Sequence, residues 1–266
     1  MNAAGRAWRV FATGLAFAVF GGVTLLLSFS LFPLLALTAP DRDRGQRRVQ
    51  RAVHYGCRWF VWLIRSLGIL SCELHGREHL RPPGRLIIAN HPSLIDVVFL
   101  FAWLPQMDCI IKQELLDNPI LKWSVGWAGY IGNAGPEHLI ESCAASLRAG
   151  RTLVVFPEGT RSVPGRRLPF QRGAARIALE TGVAVVPVQI RCEPIMLTKG
   201  AKWWQVPARP SHFSFVAGAP LHADRFRRPG EPPAQAARRL TRQFELLLGT
   251  EPRTAAAALQ AYSLPS

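Results

Sequence analysis

The sequence predicts an α/β fold: a mainly parallel sheet flanked by helices, preceded by an N-terminal helical membrane anchor. Three observations carry this. Residues 10–40 contain no Asp, Glu, Lys or Arg, a charge-free run longer than the ~20 residues a bilayer helix needs. Beyond about residue 70, short apolar runs of strand length alternate with segments of helical period. Two of those runs end in polar clusters, His91 to Asp96 and Phe156 to Ser162, the position at which α/β folds gather functional groups.

Composition bounds the classes. The 266 residues are 49% apolar and 18% charged, which excludes a disordered or collagen-like chain. The length suffices for a core without disulfides or metal staples. Lys and Arg number 32 against 17 Asp and Glu, a net charge of +15. Such a charge attracts a polyanion. Beside a membrane segment it favours the anionic cytoplasmic leaflet. Dispersed Arg residues and a lipophilic N-terminus argue against nucleic acid. The five cysteines form no CxxC pair, so neither zinc nor a redox dithiol is indicated, and reduced thiols fit the cytoplasmic side. No metal ligand spacing is present.

The organisation expected is an anchor over residues 1–70, a catalytic-type domain over 71–250 and a loosely ordered tail over 251–266. The charge-free run is too long for a signal-peptide core. Gly21-Gly22 interrupts it and Pro33 lies late in it. Arg6 and Arg9 precede it, and Arg42, Arg44, Arg47, Arg48 and Arg51 follow. Basic flanks on both sides suit a helical hairpin within one leaflet, with a single tilted span as the alternative. Residues 59–70, with Trp59, Trp62 and Arg65 and with Arg58 just before them, read either as an interfacial helix with snorkelling cations or as a core helix.

Residues 85–90 follow Pro82-Pro83-Gly84 and read as a buried strand. Helix is expected over 95–104, a short strand over 108–112, helix over 115–127 and a strand at 130–131. Residues 136–147 begin with Pro136 and stop before Gly150, a helix with its usual punctuation. Strand follows over 152–156. A helix over 173–180 ends at Gly182. The strand over 183–190 contains Pro187, which predicts an edge or a bulge. A strand over 213–216 and a helix over 235–248 complete the domain.

Two constellations carry chemistry. His91 lies just past a strand end and Asp96 five residues on. A turn between them lets the carboxylate fold back onto the imidazole, fixing its tautomer and raising the basicity of the other nitrogen. On spacing alone, an Asp at a helix start beside an incidental His fits equally. Phe156-Pro157-Glu158-Gly159-Thr160-Arg161-Ser162 offers a carboxylate, a tight turn, a hydroxyl and a guanidinium able to hold a phosphate. It is not a P-loop, and no GxSxG elbow or HExxH is present.

Taken together the two units resemble the glycerolipid acyltransferase family, which includes the bacterial-type 1-acylglycerol-phosphate acyltransferases. Asn90, His91, Ser93 and Asp96 match its NHxSxxD motif, and Phe156 to Ser162 match FPEGTRS in full. Lys112-Gln113-Glu114-Leu115, Phe170-Gln171-Arg172-Gly173-Ala174 and Val186-Pro187-Val188 are similar to further family segments. The resemblance covers roughly residues 70–220. It implies a membrane-bound enzyme on the cytoplasmic face of the inner membrane. The donor would be acyl-CoA or acyl carrier protein, the acceptor a lysolipid hydroxyl, with 1-acyl-glycerol-3-phosphate first among acceptors. No cofactor is implied. His91 and Asp96 would be catalytic, and Lys112, Glu158, Gly159, Thr160 and Arg161 would bind substrate. The stretch Gly129 to Gly135 departs from the family pattern, which ends in Arg where Gly135 stands. That leaves open another lysolipid acceptor, a lysophospholipid or an amino-acid lipid. A non-catalytic membrane-surface protein is the reading from a different class.

Overall fold

The structure is a computed structural model describing residues 3–112, 118, 121–133, 135–163 and 168–249. The expected tail over 251–266 lies outside the described residues. So does most of the expected start of the helix over 115–127.

The apolar run forms α1 (Ala3–Phe29) and α2 (Leu31–Leu37). Gly21-Gly22 does not interrupt α1; Pro33 does. A helix continuing through Pro33 would bring its ring against the carbonyl four residues earlier. That residue is Phe29, the last of α1. Ser30 closes the end by donating its backbone N–H and its hydroxyl to the Leu26 carbonyl.

The amphipathicity of α1 is inverted. Its exposed stripe is Trp8, Phe11, Leu15, Ala18, Gly22, Leu25, Leu26 and Phe29, whereas Ala12, Thr13, Ala16 and Ser28 are buried. Small residues face the protein and large apolar ones face outward. Contact with the rest of the chain runs the helix's length. Trp8 donates to the Leu67 carbonyl and Arg9 to those of Pro207 and Ala208. The Trp203 ring lies against Gly14. Phe20 meets Phe60 with ring centroids 4.7 Å apart, and Phe29 meets Trp123 at 5.6 Å.

Next come α3 (Arg42–Ser66), β1 (Leu70–His75), α4 (Arg77–Leu80), β2 (Leu86–Ala89), α5 (Asp96–Trp103) and β3 (Asp108–Ile111). Asp41 caps α3 by accepting the Arg44 N–H. The chain continues through α6 (Leu121–Ala128), β4 (Ile131–Gly132), α7 (Pro136–Arg148), β5 (Leu153–Val155) and α8 (Gly173–Thr181). The last elements are β6 (Ala184–Glu193), β7 (Ser211–Ala217), β8 (Leu221–His222), a 3-10 turn (Ala223–Phe226) and α9 (Pro233–Gly249).

The sheet runs β1-β7-β6-β2-β5-β3-β4, with β8 also on β6. The block β6-β2-β5-β3-β4 is parallel, and so is β1 with β7. β6 pairs antiparallel with β7 and with β8. The sheet is therefore mixed rather than uniformly parallel. The link between β6 and β7 contains no crossover helix, so β7 starts at the edge where β6 ended and must run back.

Pro187 sits in the sheet interior, not at an edge. β8 pairs with Ala184 and Val185, and β7 with Val188 onward. Pro187 falls at the changeover between these two neighbours, where its missing N–H breaks no ladder. Its carbonyl accepts the Gly218 N–H at 2.9 Å.

Alternation along the central strands divides the core. Ile87, Val154 and Val186 join the cluster under α3 and α5, with Phe99, Phe213 and Phe215. Leu86, Leu153 and Val185 join the opposite cluster under α7, α8 and α9. Both faces are covered, which is why the strands read as continuous apolar runs.

Candidate active site

β2 ends at Ala89, and the next two residues are held by side chains rather than by the ladder. The Asn90 amide donates to the Ile190 carbonyl at 2.8 Å and accepts the Ile190 N–H at 2.7 Å. It extends the β2–β6 pairing by one rung and fixes the direction in which the chain leaves the sheet. His91 follows. Its backbone N–H donates to Glu158 Oε1 at 3.0 Å, and its carbonyl accepts the Ser162 N–H at 2.7 Å. Its ring stacks on Phe156, centroids 4.2 Å apart and planes at 21°.

Asp96 opens α5 and is fully buried. Its Oδ2 lies 3.0 Å from His91 Nδ1 and accepts the Ser93 N–H at 2.7 Å. The five-residue spacing thus closes a loop in which the carboxylate meets the imidazole. With Nδ1–H turned to Asp96, the Nε2 lone pair is left available. The histidine side chain is 17% exposed against 0% for Asp96, so the pair has one dry end and one accessible end. Burial pushes the Asp96 carboxyl up, against the opposing pull of its His91 and Ser93 hydrogen bonds. Asp96 Oδ1 and Ser93 Oγ are buried with no hydrogen-bond partner among the described residues.

The turn after β5 supplies the second half. Gly159 has φ +66, a left-handed conformation that favours glycine, and its N–H donates to the Phe156 carbonyl. This reverses the chain so that Glu158 points inward. Glu158 Oε1 takes the Ser162 hydroxyl at 2.8 Å as well as the His91 N–H. Thr160 is half-buried on the same turn. Arg161 Nη1 donates to the carbonyls of Leu197 and Thr198, both at 3.0 Å. The Leu197 carbonyl also accepts the Leu94 N–H. One link between β6 and β7 therefore holds both motifs.

Lys112 is exposed just past the end of β3. Because β2, β5, β3 and β4 are parallel neighbours, His91, the 156–162 turn, Lys112 and Asn133 all emerge along one sheet edge. The Gln113 to Leu115 part of the KQEL segment and Ala134 lie outside the described residues. Gly135 is the N-cap of α7 with φ 124 and ψ 155, a backbone region essentially reserved for glycine.

Sequence reasoning brought together His91, Asp96 and the 156–162 turn. It gave no role to Phe156 as a stacking platform, to Asn90 as a ladder extension or to the Leu197–Thr198 carbonyls. Asn90 and Phe156 stand within the quoted motifs. Nothing local marks Leu197 except, after folding, its positive φ of 53. The α1 contacts come from the same edge: Leu67 precedes β1, Trp203, Pro207 and Ala208 lie between β6 and β7, and Trp123 follows β3. The apolar helix thus runs along the edge that carries His91.

Comparison with known proteins agrees with this arrangement. A family model described as Acyltransferase matches residues 71–191. The 1-acyl-sn-glycerol-3-phosphate acyltransferase of Pseudomonas aeruginosa is 26% identical over 204 residues, 74% of each chain. The protein of that name from Cocos nucifera is 38% identical over 179 residues, 64% of this chain and 55% of its own length. The chain thus spans about half of the coconut relative. The fold matches the crystal structure of the 1-acyl-sn-glycerophosphate (LPA) acyltransferase PlsC from Thermotoga maritima. That match has TM-score 0.68 and 22% identity, covering 93% of this chain and all of that one. The acyltransferase match falls on the strands and turns that hold His91, Asp96 and Glu158, so this part of the chain is an acyltransferase domain similar to that of the 1-acyl-sn-glycerol-3-phosphate acyltransferases.

Proposed function

We propose that this enzyme transfers an acyl chain from acyl-CoA or acyl carrier protein to a lysolipid hydroxyl, converting 1-acyl-glycerol-3-phosphate to phosphatidic acid. The observation that carries the reading is the His91–Asp96 pair, open to the surface only at the histidine end, on the sheet edge along which α1 lies.

His91 Nε2 removes the acceptor hydroxyl proton as the oxygen attacks the thioester carbonyl. Asp96 stays ionised and holds Nδ1–H, stabilising the imidazolium that forms. Collapse of the tetrahedral intermediate breaks the C–S bond, and His91 returns the proton to the departing thiolate. A thioester is already activated, so no covalent enzyme intermediate is required. Glu158 and Phe156 position the histidine through its backbone and ring face. Lys112 and the guanidinium N–H groups of Arg161 not given to carbonyls offer cations to the acceptor phosphate. Gly159 and Thr160 shape the turn that carries them.

The reaction occurs at a membrane surface, on the cytoplasmic face of the inner membrane. The inverted amphipathicity of α1 supports this, since an exposed apolar stripe of that length needs lipid to cover it. Both ends of α1 touch the catalytic domain, Arg9 at the Pro207 and Ala208 carbonyls and Phe29 at Trp123, which favours embedding in one leaflet over crossing. A lysolipid in that leaflet then meets His91 without leaving the bilayer.

The test is product analysis by mass spectrometry, giving the purified enzyme a panel of lysolipids with each donor. Phosphatidic acid from lysophosphatidic acid is the expected product. Acylation of other lysolipids in its absence would overturn the acceptor assignment.

A further inference from the structure

α3 carries a face that neither its packing nor the chemistry at His91 uses. From Arg44 to Ser66 the helix contains no acidic residue. Its exposed positions include Arg51, Tyr55, Arg58, Trp59, Trp62 and Arg65, while Cys57, Phe60, Val61 and Ile64 are buried. None of these three arginines has an ion-pair partner among the described residues. Two arginines nearer the helix start do have such partners: Arg44 pairs with Asp41, and Arg47 with Asp43.

The order of residues around the helix is informative. Phe60 touches Phe20, and the Leu67 carbonyl just past the helix holds Trp8, so this side faces α1. At about 100° per residue, Trp59 lies roughly 100° round from Phe60, Tyr55 roughly 140° and Trp62 roughly 160°. Arg51, Arg58 and Arg65 follow at roughly 180° to 220°, before His54 and Val61 turn back into the core. Leaving the apolar stripe of α1, the surface therefore passes through aromatic rings with polar tips and then through cations. That is the order a protein meets on rising out of a bilayer: hydrocarbon, interface, headgroup charge. A Trp–Lys group flanks α1 on its other side, where Trp203 lies against Gly14 and Lys202 sits 5.1 Å from the Trp204 ring.

We propose that the outer face of α3 is a lipid-headgroup reader. Tyr55, Trp59 and Trp62 sit at the bilayer interface, and Arg51, Arg58 and Arg65 bind anionic phospholipid headgroups. The face orients His91 and gives the enzyme a preference for an acidic leaflet. An acidic protein partner fits the arginines but not their graded placement beside α1. The inference rests on the membrane reading above and adds charge selection to it.

The experiment offers the full-length protein two vesicle populations of different density. One is phosphatidylcholine and the other phosphatidylcholine with phosphatidylglycerol. Wild type should favour the anionic vesicles more than tenfold at low salt, the preference shrinking as salt rises. Arg51→Gln/Arg58→Gln/Arg65→Gln should lose at least tenfold of it, each surface cation being worth about fivefold. Arg225→Gln/Arg228→Gln/Arg242→Gln makes the same charge change around α9 and should keep the preference. Bromine placed high in the acyl chains should quench wild type more than Trp59→Phe/Trp62→Phe. Equal behaviour of the two triple variants, or quenching unchanged in the Trp double variant, overturns the headgroup reader but leaves α1 anchoring intact. Failure of wild type to bind either vesicle overturns both. A first triple variant that keeps its lipid preference but loses only transfer from acyl carrier protein assigns the face to a protein instead.

Discussion

Glu158 and His91 stand 67 residues apart in sequence, yet Glu158 Oε1 accepts the His91 backbone N–H at 3.0 Å. The same oxygen takes the Ser162 hydroxyl, whose own N–H meets the His91 carbonyl. The histidine is thus held at both backbone groups by the turn after β5. The two motifs form one frame, one carrying the histidine proposed as base and the other fixing its backbone.

The base itself gives the plainest expectation. His91→Ala should lower transfer by at least the ~10²–10⁴ that general-base loss costs. Circular dichroism and vesicle binding should be unchanged, because the ring packs mainly on Phe156. Initial rates with labelled donor read the first, and retention of more than a tenth of wild-type activity would remove His91 from the reaction.

Asp96 should separate stability from activity. Its folded-state pKa is raised by burial, so the native state binds this proton more tightly than the unfolded chain. The associated stability is present below the unfolded value and is lost as pH rises through the folded one. At neutral pH the ionised carboxylate is therefore a cost to folding. Asp96→Asn keeps an acceptor for the Ser93 N–H, should melt no lower than wild type at pH 7, and should lose several orders of magnitude in kcat. A large fall in Tm would contradict this.

Glu158 holds the His91 backbone N–H and the Ser162 hydroxyl, and its variants separate an orienting role from acceptor binding. Glu158→Gln keeps an oxygen for the His91 N–H and should retain part of kcat. Glu158→Ala leaves that N–H unmade, a loss of about 1–3 kcal/mol, and should lower kcat tenfold or more. KM for the lysolipid should change little in both. A rise in KM at constant kcat would instead put Glu158 on the acceptor.

Gly135 departs from the Arg that the resemblance leads one to expect, and its backbone explains why a simple replacement is disfavoured. At φ 124 and ψ 155, any side chain meets strain of about 1–3 kcal/mol. A Cβ there meets nothing within 4 Å, so the penalty is conformational and not steric crowding. Gly135→Ala and Gly135→Arg should both lower Tm by a few degrees and to a similar extent. Thermal melts of the pair check this, and an Arg variant as stable as wild type would show that the loop adopts another conformation.

The cysteines should be slow to alkylate in the native enzyme. Burial pushes the Cys57 and Cys192 thiols up to about 12 and raises Cys109 further. Against an ordinary thiol near 8.5, the thiolate fraction at pH 8 falls on the order of a thousandfold. Timed labelling with iodoacetamide, read by peptide mass spectrometry, should show all three protected until denaturant is added.

The sequence by itself determined most strands and helices of the α/β part, since short apolar runs and helical periodicity are local properties of the chain, but it did not mark β1, α4 or β8. β2 over Leu86–Ala89, α7 from Pro136 and α8 stopping before Gly182 lie where composition and punctuation put them. It also put Asp96 within reach of His91, five residues on at the start of α5, but left open whether the two side chains meet. Tertiary structure decided the rest. The direction of β7 depends on where the link from β6 returns, which no residue pattern in β7 encodes. Pro187 is tolerated inside the sheet because two different strands change over beside it. Arg161 meets the Leu197 and Thr198 carbonyls, and Glu158 the His91 N–H, only because parallel pairing brings β2, β5 and β6 to one edge. Backbone partners of this kind leave no trace in side-chain type. The sequence could show that α1 is apolar. Which stripe faces outward was fixed by docking, where Ala12, Ala16 and Gly14 allow close approach and the large side chains are left exposed.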